Sequence, residues 1–409
     1  MACRIPKRLS CINTARVYGL PVPRAELARS PDDAARIVEK LGKPCVIKSQ
    51  ILAGGRGKGT FDTGLKGGIQ MAKSASEAKS IASKMLGHRL VTKQTSSNGL
   101  LVDRVNIAEV IDFKDEYYVA MTIDRAKYSP AIIVSKAGGV NVESAKDSSK
   151  PYHFKLSEGV TDKLIASVAS QLQLSEKAAQ NLGKLLRNMA TVLQEKDATL
   201  LEINPLVRTE ADEFICLDAK CSFDNAAEKR QADVFALRDR VQEIPEEVEA
   251  EKYGLVYVRL DGDIGNIVNG AGLAMATNDA IAHYGGSSAN FLDTGGQATV
   301  ETVQKALEMV VRDPRVKTVL VNIYGGIIRC DMIAESIIAA AKALGDLRVP
   351  VVVRLQGTNS EQGLKLIEES GLGLRTEFEF GDAARTAVEL AKGGQSGGEQ
   401  VREPLAANS

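Results

Sequence analysis

The sequence predicts an α/β protein in two parts: an N-terminal part built on antiparallel strands, then a doubly wound parallel sheet. Three observations predict it. From Leu255 onward, short apolar runs alternate with stretches of helical period, the pattern of βαβ units that build a parallel sheet. From Leu100 to Val142, and again from Ala198 to Cys221, strand-like runs follow one another through turn residues, which predicts antiparallel pairing. Between these regions, Ala226 to Tyr253 is densely charged and reads as a helix plus a linker, hence a domain boundary.

Composition sets the outer limits. A chain of 409 residues has room for two or three domains, and 44% hydrophobic residues suffice for real cores. The 52 basic and 52 acidic residues cancel, so no global field draws the chain to nucleic acid or to an anionic membrane. No apolar run is long enough to span a bilayer. Cys3, Cys11, Cys45, Cys216, Cys221 and Cys330 are scattered without C-x-x-C spacing, which points to a reducing compartment. The first acid is Glu26, after Arg4, Lys7, Arg8, Arg16 and Arg24. An acid-free basic start with Ser and Thr is the pattern of the remainder of a mitochondrial presequence. The expected location is therefore the mitochondrial matrix, or the cytoplasm for a bacterial source.

The elements follow in order. Pro31 to Leu41 is a helix, with Ser30 as N-cap and Asp32 and Asp33 in the first turn, where the dipole favours them. Pro44 to Lys48 is a short strand. It leads into ILAGGRGKGTFDTGLKGG, the most glycine-dense stretch. This is neither a Walker A loop, because Lys58 precedes Gly59, nor a GxGxxG fingerprint. It is either a basic loop that closes over phosphates, with backbone N–H groups, Lys48, Arg56 and Lys58 as donors, or a flexible solvated loop. Ser74 to Leu86 is a second helix. The strands after Leu100 carry Glu109 and Glu116, and Leu164 to Leu193 is one or two helices.

The hairpin ATLLEINPLV/EFICLDAKC says more. Glu202 and Asn204 share one face of its first strand, Asp218 and Lys220 one face of its second. Oxygens of Asn and Asp on paired strands suit Mg²⁺, which takes few protein ligands and keeps waters and substrate phosphates. The plainer alternative is a surface hairpin with one wet face. Apolar residues flank the polar ones closely, which favours the metal.

The C-terminal part reads as strand LVYVRL, loop DGDIGNIVNGAG, helix LAMATNDAIAHYG, strand SANFLD, loop TGGQAT and helix VETVQKALEMVV. Then come the apolar run Val319 to Ile323, Gly325-Gly326, a helix from Asp331, strand VPVVVRL, loop QGTNSEQG and helix LKLIEESG. A strand that ends in glycines and opens a helix is an anion site, because the first helical N–H groups lack partners and the dipole is positive there. Four strand ends carry such loops: Asn269-Gly270, Gly295-Gly296, Gly325-Gly326 and Gly357-Thr358-Asn359. Ligands bind outside the carboxyl ends of these strands. Gly393 to Ser409 has the composition of a disordered tail.

Together QILAGGRGKG, LLEINPLV with FICLDAK, DGDIGNIVNGAGLAM, ANFLDTGGQAT and VLVNIYGGIIRCD resemble the β subunit of succinate–CoA ligase, from about residue 15 to residue 390. The resemblance implies an ATP-grasp nucleotide-binding domain over 1–238, a charged linker over 239–254, a flavodoxin-like CoA-ligase domain over 255–392 and a tail over 393–409. It implies ATP and Mg²⁺ as cofactors, succinate as substrate, and an α-subunit partner that binds CoA and carries a phosphohistidine. Carried over residue by residue, the nucleotide site falls on Lys48, Gly55, Arg56, Gly57, Glu109 and Glu116, and the magnesium ligands on Asn204 and Asp218. Glu202 matches a glutamate near the visiting phosphohistidine, and the substrate contacts fall on Asn269, Gly326, Ile327 and Ile328. Pro23 matches the proline of ATP-preferring members, where GTP-preferring members have glutamine. Malate–CoA ligase β subunits share this architecture, and a non-catalytic nucleotide-binding partner is the rival from another class. The family usually opens with a segment like NLHEYQ, where this chain has KRLSCINTAR.

Overall fold

The computed structural model describes residues 2–5, 17–139, 150–295, 299–345 and 347–393. The basic residues Lys7, Arg8 and Arg16, Gly296, and all of the expected tail beyond Gly393 lie outside the described residues. The chain forms two compact units, Met1–Gln242 and Glu243–Ser409.

The first unit runs β1 (Ala2–Ile5), β2 (Ala25–Ala28), α1 (Pro31–Leu41), β3 (Cys45–Ser49), β4 (Thr60–Phe61), β5 (Ile69–Ala72), α2 (Ala75–Met85), β6 (Arg89–Val91), β7 (Leu100–Leu101) and β8 (Val105–Glu109). It continues through β9 (Asp115–Asp124), β10 (Ser129–Ser135), β11 (Tyr152–His153), α3 (Asp162–Leu172), α4 (Glu176–Glu195), β12 (Ala198–Arg208), β13 (Phe214–Cys216), β14 (Ala219–Asp224) and the short α5 (Ala232–Phe235). Strands β2, β8, β3 and β5 make one antiparallel sheet, in that order. Its core side, with Ile47 and Ile107, is covered by Ala34 and Ile37 of α1 and by Met85 of α2. A larger sheet has the order β1, β14, β12, β9, β10, β11, with β13 beside β12. There Met121 and Ile132 bury against Leu182, Leu186 and Met189 of α4. The helices start where side-chain caps allow. Ser30, Ser74, Thr161 and Ser175 each accept an N–H from the first turn of α1, α2, α3 and α4.

The second unit opens with α6 (Pro245–Glu251), within the stretch expected as a linker. Glu249 on it pairs with Lys305 at 2.8 Å and with Arg312. Then come β15 (Val256–Arg259), β16 (Ile264–Val268), α7 (Ala271–His283), β17 (Asn290–Asp293), α8 (Val300–Arg312), β18 (Thr318–Gly325), α9 (Cys330–Leu344), β19 (Val351–Gly357), α10 (Ser360–Glu369), β20 (Arg375–Thr376) and α11 (Phe380–Ala391). The sheet order is β15-β17-β16-β18-β19-β20; β16 to β20 pair in parallel, and β15 is antiparallel to β17. Counted from β16, the parallel strands run 2-1-3-4-5, the flavodoxin-like doubly wound order. The topological switch point lies between β16 and β18.

Two elements differ from the sequence reading. The run LVYVRL does not join the parallel set; it forms β15, an antiparallel edge strand beside β17. The stretch DGDIGNIVNGAG is not all loop; it contains β16, a wholly buried central strand. Gly265 and Asn266 disguise it as a turn. A Cβ on Gly265 would lie 2.3 Å from Val310 Cγ1, so the helix α8 needs glycine there. Asn266 is buried because its amide bonds across to β17. Its Nδ2 donates to the Asn290 carbonyl at 3.1 Å, and its backbone N–H to Asn290 Oδ1 at 3.0 Å.

Candidate functional site

In the first unit, the glycine-dense loop is folded. Arg56–Lys58 make a 3₁₀ turn, closed by Gly68 N–H donating to the Arg56 carbonyl at 2.7 Å and by Gly67 N–H donating to Gly59 at 2.8 Å. The turn sends Arg56 inward, to 2% exposure, and leaves Gly55, Gly57 and Lys58 exposed.

The hairpin meets this loop. The Asn204 N–H donates to the Asp218 carbonyl at 3.0 Å, so those residues face each other across the hairpin. The second strand breaks between Cys216 and Ala219, and Leu217 and Asp218 fill the break. That break frees the Leu217 carbonyl to accept Lys48 Nζ at 2.9 Å. It also turns the Asp218 carboxylate inward, where Oδ2 accepts Arg56 Nη2 at 3.3 Å. The Arg56 and Asp218 side chains are 1% and 8% exposed, so this is a buried ion pair and not a wet hairpin face. Among the described residues the buried Arg56 Nε–H has no acceptor. An unused donor on a buried guanidinium suits an oxyanion ligand.

Asn204 is held by its side chain. Its Oδ1 accepts the Gly139 N–H at 2.6 Å, and its Nδ2 donates to the Gly139 carbonyl at 3.0 Å. Gly139 is also where Glu116 arrives: a Cβ there would lie 3.1 Å from Glu116 Oε1. The Gly138-Gly139 pair is a site feature that sequence reasoning passed over. Its signal, a glycine pair at a strand end, is the one used elsewhere in the chain.

Glu202 lies on β12 opposite Lys220, with 4.0 Å between Oε2 and Nζ. Burial, and then the neighbouring Glu202 charge, raise the Tyr118 phenol well above its ordinary range. Glu109 stands apart. It pairs in register with Cys45, three residues along β3 from Lys48, roughly 10 Å at strand rise. Arg24 holds it with Nε at 3.1 Å, Nη2 at 2.9 Å and its backbone N–H at 3.0 Å, which keeps the carboxyl below its usual range. The structure thus gathers Lys48, Arg56, Asn204, Asp218 and Glu116 and does not bring Glu109 into contact with them.

In the second unit, the four parallel strands β16, β17, β18 and β19 end on one edge. Across the switch point, Asn269 Nδ2 donates to the Tyr324 carbonyl and its Oδ1 accepts the Tyr324 N–H, both at 2.8 Å. Asp293 accepts the N–H of Gly270 at 2.6 Å and of Gly295 at 2.7 Å, clamping two of the loops. Beyond Gly325, Gly326 is exposed, Ile327 is 99% exposed and Ile328 is buried at 6%. Helix α9 then begins without a side-chain cap. Asp331 in its first turn is bound by Arg329 and, at 3.2 Å, by Asn359 Nδ2, which pull its carboxyl down to about 2. Cys45, Cys216 and Cys330 are buried free thiols.

An antiparallel unit with a folded basic loop, followed by a flavodoxin-like unit with glycine loops on its carboxyl edge, is the frame of an enzyme that handles anionic substrates in two parts. The family models agree: an ATP-grasp domain matches residues 11–208 and a CoA-ligase domain matches residues 267–388. The chain is 44% identical to the mitochondrial succinate–CoA ligase [ADP-forming] subunit beta of Neurospora crassa, over 92% of this chain and 85% of that one. It is 46% identical to the ADP-forming subunit beta of Caulobacter vibrioides, over 92% and 96%. It is 42% identical to the mitochondrial GDP-forming subunit beta of Dictyostelium discoideum, over 92% and 90%. The chain belongs to the succinate–CoA ligase β-subunit family. A solved ATP citrate lyase from Methanothrix soehngenii shares the fold at a TM-score of 0.68 and 20% identity, over 95% of this chain and 99% of that one. Among the described residues, no helix is long and apolar enough to cross a membrane.

Proposed function

We propose that this chain, with an α subunit, interconverts ATP, succinate and CoA with ADP, phosphate and succinyl-CoA. The carrying observation is the meeting of Lys48 and Arg56 with the Leu217–Asp218 break of the Asn204 hairpin. ATP phosphate oxygens would lie against Lys48 Nζ and the unused Arg56 Nε–H, with Gly55, Gly57, Glu109 and Glu116 holding the nucleotide. Asn204 and Asp218 fit Mg²⁺: they are an amide and a carboxylate, oxygen donors only, facing each other across the hairpin. The bound ion would neutralise charge on the transferred phosphoryl group. Lys48 and Arg56 orient that group and offset the charge it gathers. Glu202 would orient the α subunit's phosphohistidine. Asn269 and the Gly326-Ile327-Ile328 turn would hold the acid and the phosphoryl group at the carboxyl edge. There the acid takes the phosphoryl group from histidine, and the CoA thiolate then displaces phosphate from the acyl phosphate.

Pro23 carries no side-chain amide for a guanine edge, so ATP is the preferred nucleotide. The site of action is the mitochondrial matrix, or the cytoplasm for a bacterial source. No histidine here suits the carrier role. His88 is held to Asp62 at 3.1 Å, His153 to Asp124 at 2.7 Å, and His283 lies edge-on to Tyr284 with ring centres 5.2 Å apart.

The test is co-expression with candidate α subunits and an acyl-CoA assay with succinate and malate, ATP and GTP. Succinyl-CoA should form fastest with ATP, and only from the pair. A higher kcat/KM for malate or GTP overturns that part of the reading. Label from γ-labelled ATP appearing on one of this chain's own histidines at turnover rate overturns the relay through α.

A further inference from the structure

Beneath the carboxyl edge of the second unit lies a buried cation that no part of the proposed chemistry uses. Arg354, in the middle of β19, is 5% exposed. Its Nη1 donates to Asn322 Oδ1 at 2.9 Å, its Nε to the Phe378 carbonyl at 3.1 Å, and its Nη2 to Gln356 Oε1. Its guanidinium carbon lies 5.4 Å from the centre of the Phe380 ring. Every one of these partners is neutral, and Arg354 makes no ion pair among the described residues. Burial pulls its pKa down, and only Glu379 offsets that through its charge. An arginine taken out of water without a counter-ion costs several kcal/mol of solvation. A hydrophobic residue would fill the same place at no such cost.

Its position says what the charge faces. Asn322 and Arg354 are register partners on β18 and β19, and Val268, the last residue of β16, pairs with Asn322. Two residues on, Tyr324 pairs with Gln356, and Tyr324 is the residue that Asn269 clasps across the switch point. Residues two apart share a face. Arg354, Asn322, Gln356 and Tyr324 therefore lie on one face, and the guanidinium sits one step below the crevice. From Arg354 to Gly357, at the rim, is three residues, roughly 10 Å. On its inner side the chain of bonds continues from Asn322 Nδ2 to Thr277 Oγ1 at 2.9 Å, and from there to the Leu273 carbonyl at 2.7 Å. This fixes the cation in place.

We propose that Arg354 is a positioning residue for the acid substrate: its charge, in contact with no carboxylate and fixed under the switch point through Asn322 and Gln356, draws the substrate carboxylate to the rim. This rests on the reading that a small dicarboxylic acid binds at this edge. A unit charge acting over about 10 Å at an effective dielectric of about 20 changes affinity by roughly tenfold.

The test uses the complex with α, first shown to turn over succinate; if the unaltered complex does not, the proposed function fails and not this inference. Asn322→Asp places a carboxylate against the guanidinium with almost no change of volume and neutralises it in place. Arg354→Met removes the charge outright, and Arg354→Lys keeps it. Asn322→Asp and Arg354→Met should each raise the KM for succinate about tenfold. The KM for ATP and the rate of histidine phosphorylation on α from ATP should stay within about twofold, and Arg354→Lys should recover most of the succinate affinity. Because Asn322→Asp leaves the arginine in place, it still reports if Arg354→Met does not fold. An unchanged succinate KM in a folded Asn322→Asp complex overturns the proposal, as does an Arg354→Lys variant no better than Arg354→Met.

Discussion

The two units prepare to meet anions in opposite ways. In the first, Ser and Thr side chains cap α1 to α4, so those helix ends are already satisfied. The proposed phosphate site rests instead on cationic side chains that a broken strand gathers: Lys48 on the Leu217 carbonyl and Arg56 on the Asp218 carboxylate. In the second, α7, α9 and α10 begin at the carboxyl edge with no side-chain cap, and only α8 has one, from Thr299. An unfilled cap forgoes about 1 kcal/mol, and it leaves N–H groups for a ligand. A side-chain site should therefore break when a charge is removed, and a backbone site when a Cβ is added.

The largest effect should come from Asp218→Ala. The sequence reading makes Asp218 a magnesium ligand, and the structure adds a buried ion pair with Arg56. Removing the carboxylate strands Arg56, 2% exposed, as a buried cation without its ion-pair partner. Breaking such a pair from one side costs about 3–5 kcal/mol. Urea unfolding should show that loss in Asp218→Ala, and the double variant Arg56→Met/Asp218→Leu should regain much of it while turnover stays abolished. If Asp218→Ala unfolds at the wild-type midpoint, the pair is not what holds the loop to the hairpin.

The second unit should answer to methyl groups. A Cβ on Gly325 would lie 2.7 Å from Cys330 Sγ and 3.0 Å from the Ile328 carbonyl, whereas one on Gly326 meets nothing within 4 Å. Gly325→Ala should cost about 1–3 kcal/mol by overpacking. Gly326→Val should leave stability within about 0.5 kcal/mol, as surface changes do, and still slow histidine phosphorylation on α with nucleotide binding unchanged. A Gly326→Val complex that phosphorylates at the wild-type rate would remove the backbone edge from the phosphoryl path.

The same contrast explains what could be read in advance. The parallel strands β18 and β19 were legible because Val319 to Val321 and Val351 to Val353 are apolar runs, interrupted only at Asn322 and Arg354 before Ile323 and Leu355 continue them. Strand β16 was not, because its neighbours demand glycine at 265 and an amide at 266, both of which look like turn residues. The facing of Asn204 and Asp218 was legible from strand alternation. The inward turn of Asp218 was not, because it depends on a break at Leu217 that the sequence does not announce. Arg354 and Gly139 were missed for one reason: each acts through partners distant in sequence, Phe378 and Asn322 for the first, Glu116 and Asn204 for the second.

The smallest effect tests a place where the second unit uses charge to hold its backbone edge. Asp331, in the first turn of α9, accepts from Arg329 and from Asn359, at the start of α10. These bonds, Arg329 first, lower its carboxyl from 3.8 to about 2. The folded value is depressed, so the ionised form stabilises the fold. That contribution is complete above the unfolded value of 3.8 and is lost as pH falls through about 2. Asp331→Asn removes the titration but keeps the shape. The stability difference between wild type and Asp331→Asn should therefore be constant from neutral pH down to about 4, then shrink towards zero between about 4 and 2. Taking the difference cancels every other carboxylate in the acid limb. Urea midpoints for both chains at neutral pH, at about 4 and at about 2.5 would show it. A gap of the same size at all three would mean that Asp331 holds the α9 and α10 starts together by shape alone, with no share for its charge.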